Sequence, residues 1–591
     1  MSDRLALTEA IRSHPGDDTP RLILADWYEE NGDPARGEFI RVQCELARLD
    51  PSSDRSPELH LRQLQILAEH ERDWLGEWAD RLVRWEFRRG MLEEVTVCPE
   101  PYCRGGEELF RDHPLWRVAF VDGEGESLNP DAIRDVLGRP HSRHLRAIEA
   151  AGCSPDEFAA AMFGGQIRTN VWLAELARVP ALAGLRELSL FGGTRSGRDD
   201  IDPDAWKAFC AAEHLRGLTH LDLSNCYDYH GDSAEWEPIL RTLAGAAFAP
   251  ALHSLQLGGC YTGPDALAHL TRSRRFADLR ALVLGRPVRG ESIAADIATF
   301  LDPEAFPQLR ELTLPYGRHL ADLATHPGWT RLERIGLFGT DDHEDRTRST
   351  HEPIWRAFCR SPHVRPKALL LGTPGYFDPE EVGAWDALAG AAWFGDLREL
   401  GVGFYNRSCA PLLERATGRF PRVHSLALSP DTELVERLAA WPGLSNLVSL
   451  RLNDSHGTTD PGAAVKLFTS PYLTARLSRL GVNGLCHSPE AVAALANCSA
   501  LAGLQHLDLA FNELSEASAS LLAASPHLRN LRSLHTWSEW DESVTPGWLT
   551  LADPHAFPQL RDVVIGSGTP ERVQNDLRRR FGPRLRVFAD C

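Results

Sequence analysis

The chain has 591 residues, a formal net charge of −20 at pH 7 and twelve cysteines. Generic binding to nucleic acid or to anionic membranes rests on positive potential, so this balance opposes both. The first residues include Asp3, Arg4, Glu9 and Arg12 without an uninterrupted apolar core, and no stretch approaches the about 18 apolar residues of a membrane helix. The expectation is a soluble, cytoplasmic chain with neither nucleic-acid nor membrane partners.

From Asp3 to about Asp80 the pattern is helical. A first helix spans Arg4 to Ser13 and stops at Pro15-Gly16. Thr19 before Pro20 reads as an N-cap for a second helix, Arg21 to Asn31, which ends at Gly32. A third follows Asp33-Pro34 with Phe39, Ile40, Val42, Leu46 and Leu49 at helical spacing. Polar residues Asp50 to Pro57 make a linker, and a helix from Glu58 to about Trp78 leads into Trp85-Glu86-Phe87-Arg88-Arg89-Gly90.

The run His14-Pro-Gly-Asp-Asp-Thr-Pro-Arg-Leu-Ile-Leu-Ala-Asp-Trp-Tyr-Glu-Glu-Asn-Gly-Asp33, continued by Arg36-Gly-Glu-Phe-Ile-Arg-Val-Gln43, closely resembles the bacterial repeat-companion domain. The matching features are Asp18, Pro20, Ala25-Asp26-Trp27, Gly32-Asp33 and Phe39-Ile40, and Phe87-Arg-Arg-Gly90 resembles the join seen in that family. The resemblance covers about fifty residues and implies a short module ahead of leucine-rich-type repeats, with no activity to carry over. Read from its residues alone, the segment is an all-helical cap that covers the exposed first turn of a solenoid with Trp74, Trp78, Trp85 and Phe87. Asp26, Trp27 and Arg41 then serve structure.

Beyond this segment one frame recurs: a leucine, a second three residues on, a third two further. It is clearest at Leu504, Leu507 and Leu509, with Asn512 and Leu514 completing the unit. The last two leucines of each frame share the buried face of a short strand, and the Asn satisfies backbone groups where the chain bends away. Strong copies begin at Leu145, Leu185, Leu218, Leu252, Leu279, Leu309, Leu332, Leu397, Val423, Leu447, Leu477, Leu531 and Leu560; weaker ones stand at Leu92, Leu115, Leu369 and Leu585. Roughly eighteen turns of a leucine-rich repeat follow. Intervening segments such as Pro264 to Arg275, Pro379 to Ala389, Pro489 to Ala496 and Ser515 to Ala524 are helical in composition, which points to the ribonuclease-inhibitor-like horseshoe. The expected fold is therefore an α/β leucine-rich-repeat solenoid with an N-terminal all-helical cap: residues 1–50 the repeat-companion segment, 51–90 a helical linker and cap, 91–591 the array.

A longer period lies over the short one. Trp206-Lys-Ala-Phe-Cys210 matches Trp355-Arg-Ala-Phe-Cys359, and Asp302-Pro-Glu-Ala-Phe-Pro-Gln-Leu-Arg310 matches Asp553-Pro-His-Ala-Phe-Pro-Gln-Leu-Arg561, so the array grew by copying several turns at once. Cys153, Cys226 and Cys260 fall in the Asn/Cys slot, where a small buried thiol fits, and Cys98 and Cys103 are read as ordinary thiols. Neither a disulfide framework nor a zinc site is expected.

Residues between the leucines of each strand face the concave surface. Among them Asp222, Arg451, Asp508 and His535 are candidate partner contacts, joined just past the strands by Phe191, Tyr227, Phe338 and Trp537, aromatics of the kind that anchor protein recognition. Insertions after strand ends, including Tyr227 to Glu237 and Asp341 to Glu352, mark one rim. The acidic runs Asp341-Asp-His-Glu-Asp345 and Asp228-Tyr-His230 with Asp232 lack calcium-loop spacing and read as solvated loops. No phosphate loop ending in Gly-Lys-Ser/Thr, no Gly-x-Ser-x-Gly elbow and no His-Glu-x-x-His occurs, so neither catalytic residues nor a metal or cofactor are assigned. The sequence reads as a monomeric, non-enzymatic scaffold that binds a partner protein on the concave face and one rim. The alternatives are an adaptor that positions a separately encoded enzyme, and a hydrolase of unrecognised site using His230 or His343.

Overall fold

Each leucine frame becomes a short strand in the computed structural model, which describes residues 3–49, 53, 55–121, 128–150, 169–190, 201–224, 236–258, 260, 262–285, 292–338, 348–372, 384–402, 409, 412–413, 423–454, 459–512, 514–536, 550–551, 553, 555–566, 569 and 571–588. In chain order the strands are β1 (Leu82–Arg88), β2 (Met91–Val97), β3 (Arg117–Phe120), β4 (Ala147–Ala150), β5 (Glu187–Ser189), β6 (His220–Asp222), β7 (Ser254–Gln256), β8 (Ala281–Val283), β9 (Glu311–Pro315) and β10 (Arg334–Phe338). They continue with β11 (Ala368–Leu371), β12 (Glu399–Val402), β13 (Ser425–Leu428), β14 (Ser449–Asn453), β15 (Arg479–Asn483), β16 (His506–Asp508), β17 (Ser533–Thr536), β18 (Asp562–Gly566) and β19 (Leu585–Phe588). Every one from β2 onward holds an expected frame; β1 corrects the expectation of an all-helical cap over residues 51–90, because the aromatic segment before Gly90 pairs with β2 as a strand. Helical turns separate the strands, and the architecture is an α/β solenoid.

The chain packs as two compact units, one of Glu93–Trp393, the other of Met1–Leu92 together with Phe394–Asp590. In the first, β3 to β11 pair in parallel, each with the next, and the leucines stand in register: Leu188 beside Leu221, Leu221 beside Leu255, Leu255 beside Leu282. Each of these is at most 1% exposed. The long-period copies share geometry here. Trp206 stacks on Phe209 at 5.7 Å and 23°, and Trp355 on Phe358 at 5.7 Å and 22°, one turn apart on the buried face of each helix.

In the second unit β12 to β19 form an equivalent parallel run, with Leu426, Leu450, Leu480, Leu507, Leu534 and Val563 side by side. Asn512 does what its slot requires. Its Nδ2 donates to the Val482 carbonyl at 2.9 Å and the Leu509 carbonyl at 3.0 Å, while Oδ1 accepts from the Cys486 amide at 2.5 Å. In the first unit, Cys260 fills the same slot: its buried thiol donates to the Leu223 carbonyl at 3.3 Å. Cys153 and Cys226 lie outside the described residues. Two of the intervening helices carry serine caps, Ser488 accepting from the Ala491 amide and Ser515 from the Ser518 amide.

The N-terminal helices are α1 (Asp3–Ser13), α2 (Thr19–Glu30), α3 (Pro34–Arg48) and α4 (Ser56–Leu75). One expectation is corrected: Thr19 does not cap α2. Asp18 occupies the N-cap, and the Thr19 amide is taken by the Asp17 carboxylate at 2.9 Å. Asp33 caps α3 through the Arg36 amide. Ile11, Leu24, Ala25, Ile40, Cys44 and Met91 make the core of this module, with Trp27 packed against it. Arg41 pairs with Asp26 at 2.6 Å and with Glu29, both at the surface.

The Phe87-Arg88-Arg89-Gly90 join is locked into this body. Phe87 meets Phe39 edge-on at 5.6 Å, and the buried Arg36 guanidinium lies 4.4 Å over the Trp74 ring and 4.9 Å over Phe87. Arg89 donates to the Pro15 and Gly16 carbonyls. Gly90 has φ of +84° and lies so close to α3 that a methyl there would sit 2.4 Å from Ile40 Cα, so only glycine fits. Among the described contacts, the far end of α4 and β1 meet the turns around 499–505 and 558–586. His60 Nε2 lies 3.4 Å from the Gly503 carbonyl, Gln559 donates to the Ala68 carbonyl at 3.5 Å, and Arg84 pairs with Asp562 at 2.9 Å.

Candidate functional site

Alternation along a strand places two columns on the face opposite the leucines, one just before each buried leucine and one just after it. Register aligns them across neighbouring strands. In the unit of β12 to β19, Ala427, Arg451, Gly481, Asp508 and His535 stand side by side, and so do Ser449, Arg479, His506 and Ser533.

Arg451 and Arg479 are exposed on adjacent strands. Gly481 provides room for the first of them: a methyl on Gly481 would come 3.1 Å from Arg451 Cγ, so the arginine stem lies across bare backbone. Two exposed arginines on adjacent strands favour a partner that offers carboxylates, which Arg engages with two parallel hydrogen bonds. Asp508 is half-buried, accepting from Asn483 Nδ2 at 3.3 Å and from the Ala510 amide at 3.0 Å, so part of its acceptor capacity holds the strand end.

His535 has a different setting. It is 6% exposed, and its Nε2 lies 3.1 Å from Ser533 Oγ and 3.9 Å from Asp562 Oδ2. Asp562 is the hub of this cluster, accepting from Arg586 at 2.7 Å and 2.8 Å, from Arg84 and from Ser533. Burial by itself would raise its pKa, yet Arg586, Arg84 and His535 together hold the carboxyl well below its usual range.

In the unit of Glu93–Trp393, Asp222 accepts from Ser189 Oγ at 3.2 Å and from the Ser224 amide at 2.8 Å. Burial raises its pKa against those hydrogen bonds. The column preceding it carries an ion ladder in which Arg117 bridges Glu94 and Glu187, with His220 beyond, edge-on to His253 at 6.2 Å. Phe338 ends β10, half-buried, with its backbone carbonyl accepting from the Tyr316 amide at 2.7 Å. Phe191, Tyr227 and Trp537 lie outside the described residues, as do both acidic runs and His230 and His343.

The structure thus brings Arg451, Asp508 and His535 onto one strand face in neighbouring positions. Sequence reasoning missed Arg479, His506 and Asp562. The signal was available, since strand alternation makes the residue before each buried leucine face the same way as the one after it. Cys103 is half-buried beside Asp135, and burial together with that neighbour pushes its thiol up to about 11, which leaves a poor nucleophile.

No protein-family model and no curated protein matches this chain. Among solved structures, it is similar to the TLR13 chain of a TLR13–ssRNA13 complex, with 14% identity over 84% of this chain and 71% of that one and a TM-score of 0.29. It is also similar to a chain of the yeast Rad7 and Elc1 complex, with 11% identity, coverage of 89% and 94% and a TM-score of 0.26. An internalin from Listeria monocytogenes shows 12% identity, coverage of 66% and 89% and a TM-score of 0.24.

Proposed function

We propose that this chain is a non-enzymatic scaffold that binds a partner protein on the strand face opposite its leucines, in the cytoplasm and as a monomer. The observation that carries this reading is the exposed Arg451 and Arg479 pair, set on an in-register floor beside Gly481, Asp508 and His506. Such a floor is polar, accessible and held rigid by the array, and it offers neighbouring strands as one continuous contact surface. The aromatic positions Phe191, Tyr227, Phe338 and Trp537 and the insertions beside them complete the surface in this reading. Neither nucleic acid nor membrane is the target, given the net charge of −20.

The N-terminal module is a repeat-companion domain in the same reading. What supports this is that Asp18, Arg36, Phe39, Ile40, Phe87 and Gly90, all drawn from the resembling motifs, hold the module and its join together. The test is affinity purification from native cytoplasm with the intact chain and with a Phe338→Ala, Arg451→Glu, Arg479→Glu variant. Loss of a partner with an unchanged circular-dichroism spectrum and melting curve is expected. Recovery of the same partners with both proteins would sink the strand-face reading.

A further inference from the structure

A cavity of about 500 Å³ lies between α4, β1 and the turns around Pro558 and Phe581. Four arginines line it, Arg72, Arg561, Arg580 and Arg584, against two carboxylates, Glu71 and Asp80. Both carboxylates are already committed. Glu71 receives both its Arg561 bonds at 2.5 Å, and Asp80 pairs with Arg72 at 2.7 Å. Among the described residues Arg580 and Arg584 bond only backbone carbonyls: Arg580 donates to Leu551 and Asp553 and to Ala556 and Phe557, the last two at 2.7 and 3.1 Å, and Arg584 bonds Phe581 at 3.0 Å and Ala79 at 3.4 Å.

The wall therefore carries an excess of two positive charges in partly dry surroundings. Burial and the guanidinium of Arg584 depress Arg580 to about 10 against the opposing pull of the Asp553 carboxylate, and burial with Arg532 depresses Arg561 to about 9 against that of Glu71. The Nε of Arg561, whose side chain is 9% exposed, has no hydrogen-bond partner among the described residues. Burying unpaired charge is unfavourable, and an anion brought into the cavity would relieve it. Leu67, Leu75 and Trp85 supply an apolar side.

We propose that this cavity is a binding site for a small phosphate-bearing molecule, a dianion that neutralises the excess charge and contacts Arg584 and Arg72. It is a site separate from the strand face and stands whether or not that face binds a protein. Arginine suits it because its planar fork matches phosphate oxygens. The volume is that of an ordinary small-ligand pocket, with an apolar wall and a few converging polar groups.

The experiment is titration calorimetry of the full chain with inorganic pyrophosphate at low salt, on the parent protein, Arg584→Gln and Arg579→Gln. Arg579 is exposed on the helix Glu571–Phe581, which also carries Arg580, and pairs with Asp576, outside the cavity. One saturable site is expected, weakened about tenfold or more in Arg584→Gln, from the loss of a charge-assisted bond, and unchanged in Arg579→Gln. No saturable binding to the parent, or equal weakening by both substitutions, would overturn the assignment. Because Arg584→Gln also removes a contact to Ala79, a thermal melt accompanies the titration. Should that variant fail to fold, Arg72→Gln, which is surface-exposed, replaces it with the same expected weakening, and unweakened binding there overturns the assignment equally.

Discussion

Replacing Glu71 by alanine tests how the N-terminal module is attached. Glu71 is 6% exposed and bonds Arg561 through both oxygens at 2.5 Å, Trp85 Nε1 at 3.1 Å, and lies 3.8 Å from Arg532. Without it, Arg561 remains buried against the Trp85 ring, 4.3 Å from its centroid, with no countercharge. Removing one partner of a buried pair costs about 3–5 kcal/mol, because the surviving charge cannot reach water. With a urea dependence of roughly 3 kcal/mol per molar, the unfolding midpoint falls by about 1–1.7 M. The assay is urea unfolding followed by tryptophan fluorescence, which reports on Trp74, Trp78 and Trp85 near the pair. A double variant, Glu71→Leu with Arg561→Met, should recover most of the loss, since an apolar pair of similar volume needs no countercharge. A Glu71→Ala midpoint within about 0.3 M of the parent would refute the reasoning, for it would mean that water reaches Arg561 freely.

Two other outcomes follow from the buried polar groups. His141 is buried between Tyr102 and Phe110, and burial lowers its pKa to about 4. Because the folded value lies below the unfolded one, the unfolded chain binds the proton first. Stability of the Glu93–Trp393 unit is therefore full above about pH 6.5 and declines towards pH 4, by roughly 3 kcal/mol, a loss that His141→Phe should remove in urea titrations at pH 7 and pH 4.5. At Asn512, alanine strands the Cys486 amide and takes one donor from each of the Val482, Leu509 and Ala510 carbonyls, at a cost of about 2–3 kcal/mol. Aspartate is expected to be worse, because it cannot donate to Val482 or Leu509 and adds a buried charge. Equal stability of Asn512→Asp and Asn512→Ala by chemical denaturation would show that donation to those carbonyls is not what the residue supplies.

Sequence alone determined the repeating unit. Buried leucines at positions i and i+2 specify a strand with one face in the core, and a polar residue three positions on specifies how the turn closes. That information lies within one repeat of about 30 residues and depends only on local periodicity. It sufficed to locate β2 to β19, the N-terminal helices, and the Asn512 and Cys260 slots. It also named Arg451, Asp508 and His535 on the strand face, though not Arg479 or His506 beside them.

Only the tertiary structure decided which surfaces meet. The copied segments ending in Arg310 and Arg561 show why. Arg310 folds back on its own turn and bonds the Pro307 and Leu309 carbonyls, whereas Arg561 bonds Glu71, 490 residues away in the chain. The two nonapeptides differ only at Glu304 and His555, and the six residues that end in the arginine are the same. Likewise, His535 reads as a face residue until Asp562, held by Arg84 and Arg586, is placed beside it. Local pattern fixes which way a side chain points, but charge and burial depend on what is packed opposite, and that is set by the docking of segments far apart in sequence.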